Sequence, residues 1–330
     1  MKLGTLKNPS RRDGDLVVVS RDNQFYARAS HISPSLREAL ETWSSTKSKL
    51  ETLSQELNKG GGSPERLNED QFHSPLPRSF QWADGSAFIQ HVKLVRKARN
   101  APLPETLLTV PLMYQGGSDT FLAPREDIPL ISEKHGMDFE GEFVVITNDV
   151  PMGVKPTEAL KHIMLVMICN DVSLRGLIPE ELAQGFGFFQ SKPSSAFGPF
   201  AVTPDELGSS WNEGRVHLPF NSEYNGKWFG NPNGSEMHFH FGQIIAHAAR
   251  TRSLSAGTII GSGTVSNEDE SGGSSCLAEK RMLEQIKTGK ISTPFMKPGD
   301  TIKMSVVNSS GENVFGTIFQ KITKSSVSEE

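Results

Sequence analysis

Two glutamates separated by a single glycine carry the first sign of chemistry in this chain. They lie in Asp138-Phe139-Glu140-Gly141-Glu142-Phe143-Val144-Val145-Ile146. Strand geometry puts Glu140 and Glu142 on one face with Val144 and Ile146, and Phe139, Phe143 and Val145 on the other. Both faces turn apolar toward the strand's end. Like charges in that setting need compensation, and a hard divalent cation is its most direct form. A solvated edge strand with acidic decoration is the competing reading. Asp171 offers a further carboxylate, closing the apolar run 163–169 in Asn170-Asp171-Val172-Ser173; it is either a ligand at the mouth of a buried element or a turn residue. Asp84 offers another, in Trp82-Ala83-Asp84-Gly85-Ser86-Ala87-Phe88-Ile89-Gln90-His91. That pattern predicts a short helix begun by Asp84 as N-cap, with His91 on the same face two turns later, about 10 Å along the axis. Histidine titrates near neutrality, so His91 is a candidate general base as well as an ordinary surface or core histidine. A different chemistry is suggested by Met237-His238-Phe239-His240 with His247 following, because His-x-His plus a carboxylate can hold non-haem iron. Ile244, Ile245 and Ala248 point instead to a packed helix there.

These side chains need a scaffold, and the length and composition bound it. With 330 residues, 36% hydrophobic and 22% charged, the chain can bury one large core and a smaller domain. No apolar run reaches membrane-spanning length, and the first residues lack a signal-peptide pattern, so a cytoplasmic protein is expected. Cys169 and Cys276 fit reduced thiols. A net charge of -4 without a basic cluster argues against nucleic acid as a partner. At the N-terminus, 16–19 and 24–27 flank a hairpin turn at Arg21-Asp22-Asn23. A helix follows, with Ser33 as N-cap and Pro34 at its first position, until Gly60-Gly61-Gly62 stops it. A polar linker then sets a domain boundary near residue 75, giving a small domain 1–75 and a larger one 76–330. Beyond it, apolar runs at 106–113, 139–147, 216–224, 258–263, 301–307 and 313–322 read as strands, with helical intervals at 157–169 and 241–253. The expected class is α+β, strand-dominated, a mixed roll with few helices.

In their order along the whole chain, these residues resemble the fumarylacetoacetate hydrolase family. That family has an Asp, a His seven residues later, a Glu-x-Glu strand and an Asn-Asp pair; here the matching positions are Asp84, His91, Glu140 with Glu142, and Asp171. Its loop lysine is matched by Lys192 in Phe189-Gln190-Ser191-Lys192-Pro193-Ser194-Ser195, and its later Gly-Thr and Glu by Gly263-Thr264 and Glu279. The Pro298-Gly299-Asp300 turn is also typical. The resemblance implies a fumarylacetoacetase-like β-sandwich roll behind a small N-terminal β/α domain. It implies Mg²⁺ or Ca²⁺, with Mn²⁺ as an alternative, held by Asp84, Glu140, Glu142 and Asp171. His91, oriented by Glu279, would act as base, and Lys192 would stabilise the departing enolate. The substrate would be a small acidic 1,3-diketone such as fumarylacetoacetate, from tyrosine or other aromatic breakdown, and the protein a homodimer.

Departures from the pattern bear on the substrate. Animal fumarylacetoacetases have a Tyr where this chain has Ser86 and a Gln where it has Ile178. Tyr114 matches a family tyrosine, Thr264 a further substrate position, and the substrate arginine falls on Arg96 or Arg99. Bacterial members with Asn-Asp-Val-Ser-Leu-Arg look closer, so acylpyruvate hydrolysis, 2-oxo acid hydration and oxaloacetate decarboxylation are the alternatives the resemblance carries.

Overall fold

The computed structural model describes residues 1–98 and 101–327. Its class is α+β and strand-dominated. Among the described residues, a twelve-stranded sheet and a five-stranded sheet carry most of the strands. At the centre of the larger sheet, Gly141–Thr147 is flanked by two antiparallel partners, Ile163–Asn170 and Ile259–Gly261. Ile259–Gly261 in turn pairs in parallel with Trp82–Gly85, which pairs antiparallel with Met113–Gly116.

The alternation expected around the two glutamates is present in the packing. Val144 and Ile146 join Leu165, Met167 and Cys169 in a core shared with the N-terminal helices through Leu40, Leu50 and Leu53. Phe139, Phe143 and Val145 face the opposite way, into a core with Phe220, Phe241, Ile302 and Phe315. Fully burying each of these large side chains contributes about 1.5–3 kcal/mol. The central strand is thus anchored on both faces, and its register cannot slip by one residue without exchanging the two sets.

The N-terminal strands belong to the same sheet. Lys2–Asn8 pairs with Arg11–Val19 on one side; on the other it meets Phe200–Val202 through Lys2, Leu3 and Gly4, and Phe72–His73 through Thr5 and Leu6. The expected hairpin forms between Arg11–Val19 and Phe25–Arg28, with Asn23 in the left-handed region at φ 57°.

Several local expectations are corrected. The interval 157–169 is not one helix: a helix covers Pro156–Ala159, a 3-10 turn Leu160–His162, and then Ile163–Asn170 is a strand. A continuous apolar run is what a strand buried on both faces looks like, and Ile163, Val166 and Ile168 are β-branched. Asp84 does not cap a helix but sits in the strand Trp82–Gly85, and the helix carrying His91 begins only at Ile89. Ser35, not Ser33, caps the first helix, accepting from the Glu38 backbone N–H, and Thr42 separates Leu36–Glu41 from Trp43–Asn58. The 241–253 helix ends at Ala248, before the polar Arg250-Thr251-Arg252-Ser253. Residues 106–112 form turns and irregular chain, and the strand starts at Met113.

Candidate metal centre and base

Asp84, Glu142 and Asp171 come from separate elements and converge. Asp84 lies opposite Gly261 in the parallel pairing, and its Oδ1 accepts the Gly263 backbone N–H at 2.9 Å. A Cβ at position 261 would collide with that carboxylate and with the Trp82 ring, so only glycine lets the neighbouring strand approach. Glu142 projects from the central strand, where it is fully buried. Asp171 follows directly on Ile163–Asn170; its Oδ1 accepts from Ser195 Oγ at 2.8 Å, and its Oδ2 from Tyr114 OH at 2.5 Å and Lys192 Nζ at 2.6 Å. One ligand atom from each carboxylate lies within 4.8 Å of the others.

Among the described residues, neither oxygen of Glu142 has a hydrogen-bond donor. A buried carboxylate left in that state is costly. Burial and the charge of Asp171 push the Asp84 carboxyl up to about 8. Burial, with Asp84 and Asp171 beside it, holds Glu142 well above the ordinary carboxylate range. An all-oxygen, over-acidic, buried cluster of this kind fits a hard divalent cation.

Glu140 is placed differently. Its backbone is pinned by Asn170, whose Oδ1 accepts the Glu140 N–H at 3.3 Å, and by the Asp171 N–H donating to the Glu140 carbonyl at 2.9 Å. Its carboxylate accepts from Arg175 Nη2 and Lys192 Nζ, both at 2.6 Å, and from Ser173 Oγ at 2.9 Å. Burial alone would raise its pKa, but Arg175 and Lys192 outweigh that and hold it well below the usual range. It therefore stands beside the three-carboxylate group rather than in it, as an ionised link to the cations.

Arg175 is the functional residue that sequence reasoning left without a role. Its side chain is 10% exposed and forms ion pairs with both Glu140 and Asp138, the latter at 3.0 Å. Asp138 also accepts the Leu277 and Ala278 backbone N–H groups, tying the site to the start of the helix Leu277–Thr288. The available signal was an arginine four residues after Asp171, next to acidic strands: a buried guanidinium requires carboxylate partners. The Lys192 side chain is similarly enclosed, 7% exposed and 4.9 Å from the Tyr114 ring, and Asp171 and Glu140 overcome the lowering effect of desolvation and raise its pKa.

His91, on Ile89–Ala98, makes a 2.8 Å hydrogen bond from Nδ1 to Oε1 of buried Glu279, which lies in the first turn of Leu277–Thr288. Its other nitrogen, Nε2, is 3.7 Å from Glu140 Oε1. That is the arrangement of a base held by an orienting carboxylate. A cleft of about 230 Å³ gathers these groups: Asp84, His91, Glu140, Glu142 and Lys192 line it, as do Ser86, Arg96, Tyr114 and Thr264. Of the predicted residues, Asp171 and Glu279 stand behind its wall. Thr264 is buried, its Oγ1 without a partner among the described residues, and Arg96 Nη1 donates to the Pro102 carbonyl at 2.9 Å. Arg99 lies outside the described residues. A wider depression of about 1060 Å³ adjoins the cleft across Met113, Tyr114, Phe188 and Lys192, but the clustered carboxylates line only the smaller space.

The histidines of the iron reading do not converge. His238 Nε2 lies 3.0 Å from the Leu108 carbonyl, and His240 caps Phe241–Ala248 in a reciprocal pairing with Gln243. Among the described residues, no group of three metal-capable donors includes His238, His240 or His247.

The raised pKa values of Asp84 and Glu142 set a pH dependence. In the metal-free protein both hold protons at pH values where the unfolded chain has released them. The native state therefore binds more protons between about pH 4 and 8, and stability falls as pH rises through that window. Glu140 acts in the opposite sense, adding stability that is lost only as pH drops below the ordinary carboxylate range. Melting in EDTA should thus show Tm falling from about pH 5 to pH 8, with the stabilisation by added Mg²⁺ growing over the same range. A Tm in EDTA that climbs across this window would contradict the assignment.

Comparison with known proteins identifies the lineage. The family model "Fumarylacetoacetate (FAA) hydrolase C-terminal" matches residues 81–323, and "Fumarylacetoacetase N-terminal domain 2" matches residues 1–78. The chain is 26% identical over 168 residues to a 2,4-didehydro-3-deoxy-L-rhamnonate hydrolase of Sphingomonas sp. (strain SKA58), covering 50% of this chain and 55% of that protein. It is 23% identical over 183 residues to the human mitochondrial oxaloacetate tautomerase FAHD2B, 54% of each. The chain thus spans about half the length of these curated relatives. A solved fumarylacetoacetate hydrolase from psychrophilic Exiguobacterium antarcticum superposes with a TM-score of 0.68 at 17% identity, over 98% of this chain and 100% of that one. A maleylpyruvate hydrolase from Sphingobium sp. SYK-6 gives 0.67 at 14%, over the same shares. Those two likenesses establish the fold, and the match over residues 81–323 establishes the lineage: this chain belongs to the fumarylacetoacetate hydrolase family.

Proposed function

We propose that this protein is a divalent-metal-dependent hydrolase that cleaves a carbon–carbon bond in a small acidic 1,3-diketone, with fumarylacetoacetate and acylpyruvates as the first substrates to test. The observation that carries the proposal is the unpartnered Glu142 carboxylate beside Asp84 and Asp171, on a cleft also lined by His91, which Glu279 holds from behind. Asp84, Glu142 and Asp171 would hold Mg²⁺, Ca²⁺ or Mn²⁺, with Glu140 close by as a fourth carboxylate. When bound, such an ion chelates and polarises the two carbonyl oxygens of the substrate.

The remaining work falls to the protein's own side chains. Glu279 fixes the His91 ring, and the free imidazole nitrogen takes a proton from the attacking water. Lys192 sits where negative charge would gather on the leaving enolate, and its salt bridges to Glu140 and Asp171 hold it there. Tyr114, Thr264, Ser86 and Arg96 are the substrate contacts of this reading. By family resemblance the proposal extends to a homodimer working in the cytoplasm on products of tyrosine or other aromatic breakdown. Among the described residues no helix is long and apolar enough to cross a membrane.

A second reading has a specific basis. The human relative is named an oxaloacetate tautomerase, and apolar Ile178 lines the cleft where the animal hydrolases have glutamine. Tautomerisation, hydration or decarboxylation of a 2-oxo acid would use the same metal and the same base. The purified protein should consume a diketone, seen as loss of its ultraviolet band, and EDTA should abolish that loss until Mg²⁺ or Mn²⁺ is restored. Turnover of oxaloacetate alone, with every diketone inert, would select the second reading. EDTA-resistant turnover would remove the metal from both.

A further inference from the structure

Beside the carboxylate cluster the described residues hold a second metal-capable group of different chemistry. His91, Cys276 and Glu279 each offer one ligand atom, and these atoms lie within 4.8 Å of one another. Nitrogen, sulfur and oxygen together are the donors of zinc, whereas Mg²⁺ and Ca²⁺ take oxygen. We propose that His91, Cys276 and Glu279 form a separate site for a borderline or soft divalent cation such as Zn²⁺ or Cd²⁺.

Two helices build this site. Cys276 is the N-cap of the twelve-residue helix Leu277–Thr288, and its Sγ accepts the Glu279 backbone N–H at 3.4 Å. A cap residue and the third residue of the helix face each other, so the sulfur and the Glu279 carboxylate approach from one side. His91 closes the group from Ile89–Ala98, which packs against that helix. Cys276 and Glu279 are buried, and His91, its side chain 13% exposed, is the way in from the cleft. Burial and the nearby Asp138 and Glu279 carboxylates push the Cys276 thiol well above its ordinary range, so the metal itself must displace the proton. Loading exchanges the thiol proton, released to solvent, for a metal–sulfur bond. Three protein donors leave a fourth position for water.

Occupation has a functional cost. A cation between the ring and Glu279 displaces their 2.8 Å hydrogen bond and takes the carboxylate that orients the base. Zn²⁺ would then stop turnover even with the carboxylate site saturated by Mg²⁺. That consequence rests on the base role proposed for His91, whereas metal binding at the site does not.

The test titrates Cd²⁺ into the full-length protein in excess Mg²⁺ and follows the ultraviolet thiolate-to-cadmium charge-transfer absorbance. The band should saturate near one equivalent in the parent and in Cys169→Ala, and vanish in Cys276→Ser, which keeps a favourable cap and so the fold. In parallel, Zn²⁺ should inhibit diketone turnover of the parent, and Cys276→Ser should need about 10–100 times more. A band that persists in Cys276→Ser, or that follows Cys169, overturns the proposal. So does the lack of any band in a parent whose two thiols both react once it is unfolded. A Cys276-dependent band without inhibition supports the metal site and counts against His91 as the base.

Discussion

Replacing His91 with Ala should lower turnover by about 10²–10⁴-fold, the usual range for a positioned proton-transfer group. The Mg²⁺ thermal shift should survive. The two outcomes separate because His91 lies outside the group formed by Asp84, Glu142 and Asp171, although all open on or back onto one cleft. A modest loss of stability is expected alongside, about 1–3 kcal/mol, because buried Glu279 loses the donor at 2.8 Å that satisfies it. Turnover in the His91→Ala protein within tenfold of the parent would exclude His91 as the base. Loss of the metal shift together with activity would mean instead that the substitution had disturbed the helix Ile89–Ala98 and its packing.

Glu142→Gln should have the opposite signature. Turnover should fall to background and the Mg²⁺ thermal shift should disappear, while the metal-free protein should melt no lower than the parent in EDTA. The amide is nearly isosteric, so packing in the central strand is kept and one of three crowded carboxylates is removed. In the parent, saturation at a hundred times Kd stabilises by about 2.7 kcal/mol. For a chain of this size that is a shift of several degrees, large enough for its loss to be unambiguous. A Glu142→Gln protein that still binds Mg²⁺ with parental affinity would show that the ion, if held at all, is held elsewhere. The EDTA melt is a second, independent readout, since relief of carboxylate crowding would be seen even if no substrate were known.

The core of this site was legible because its chemistry depends on strand periodicity. Glu140 and Glu142, with Phe139, Phe143, Val144, Val145 and Ile146 around them, follow a period of two, and the two cores on either side of the sheet bear that out. Lys192 was legible only through resemblance: an isolated lysine in a Gly/Ser-rich loop has no pattern of its own. Asp84 was read onto the wrong element, because a carboxylate before a helical stretch resembles an N-cap. Nothing local reveals that the strand Trp82–Gly85 is drawn in parallel beside Ile259–Gly261, far along the chain. The strand Ile163–Asn170 was missed for a related reason, since hydrophobic on both faces reads alike for a buried strand and a buried helix. Arg175 was quoted in its motif yet given no work. Its partners, Asp138 and Glu140, come from a segment more than thirty residues earlier, and only the folded chain brings the charges together.

The strand Lys2–Asn8 has a consequence for how the chain is made. Its second half can pair at once with Phe72–His73, but Lys2, Leu3 and Gly4 must wait for Phe200–Val202, which leave the ribosome nearly two hundred residues later. At about 5–20 residues per second this is a delay on the order of tens of seconds. Throughout it a short open edge is available to any passing strand. The lysine at the start of that edge, Lys2, places charge where mispairing would begin, a known protection for unpaired strands. In the finished protein the same amine is buried against Asn23 and the carbonyl of Asn313. One side chain thus guards the nascent strand and later ties it to the segment around Asn313.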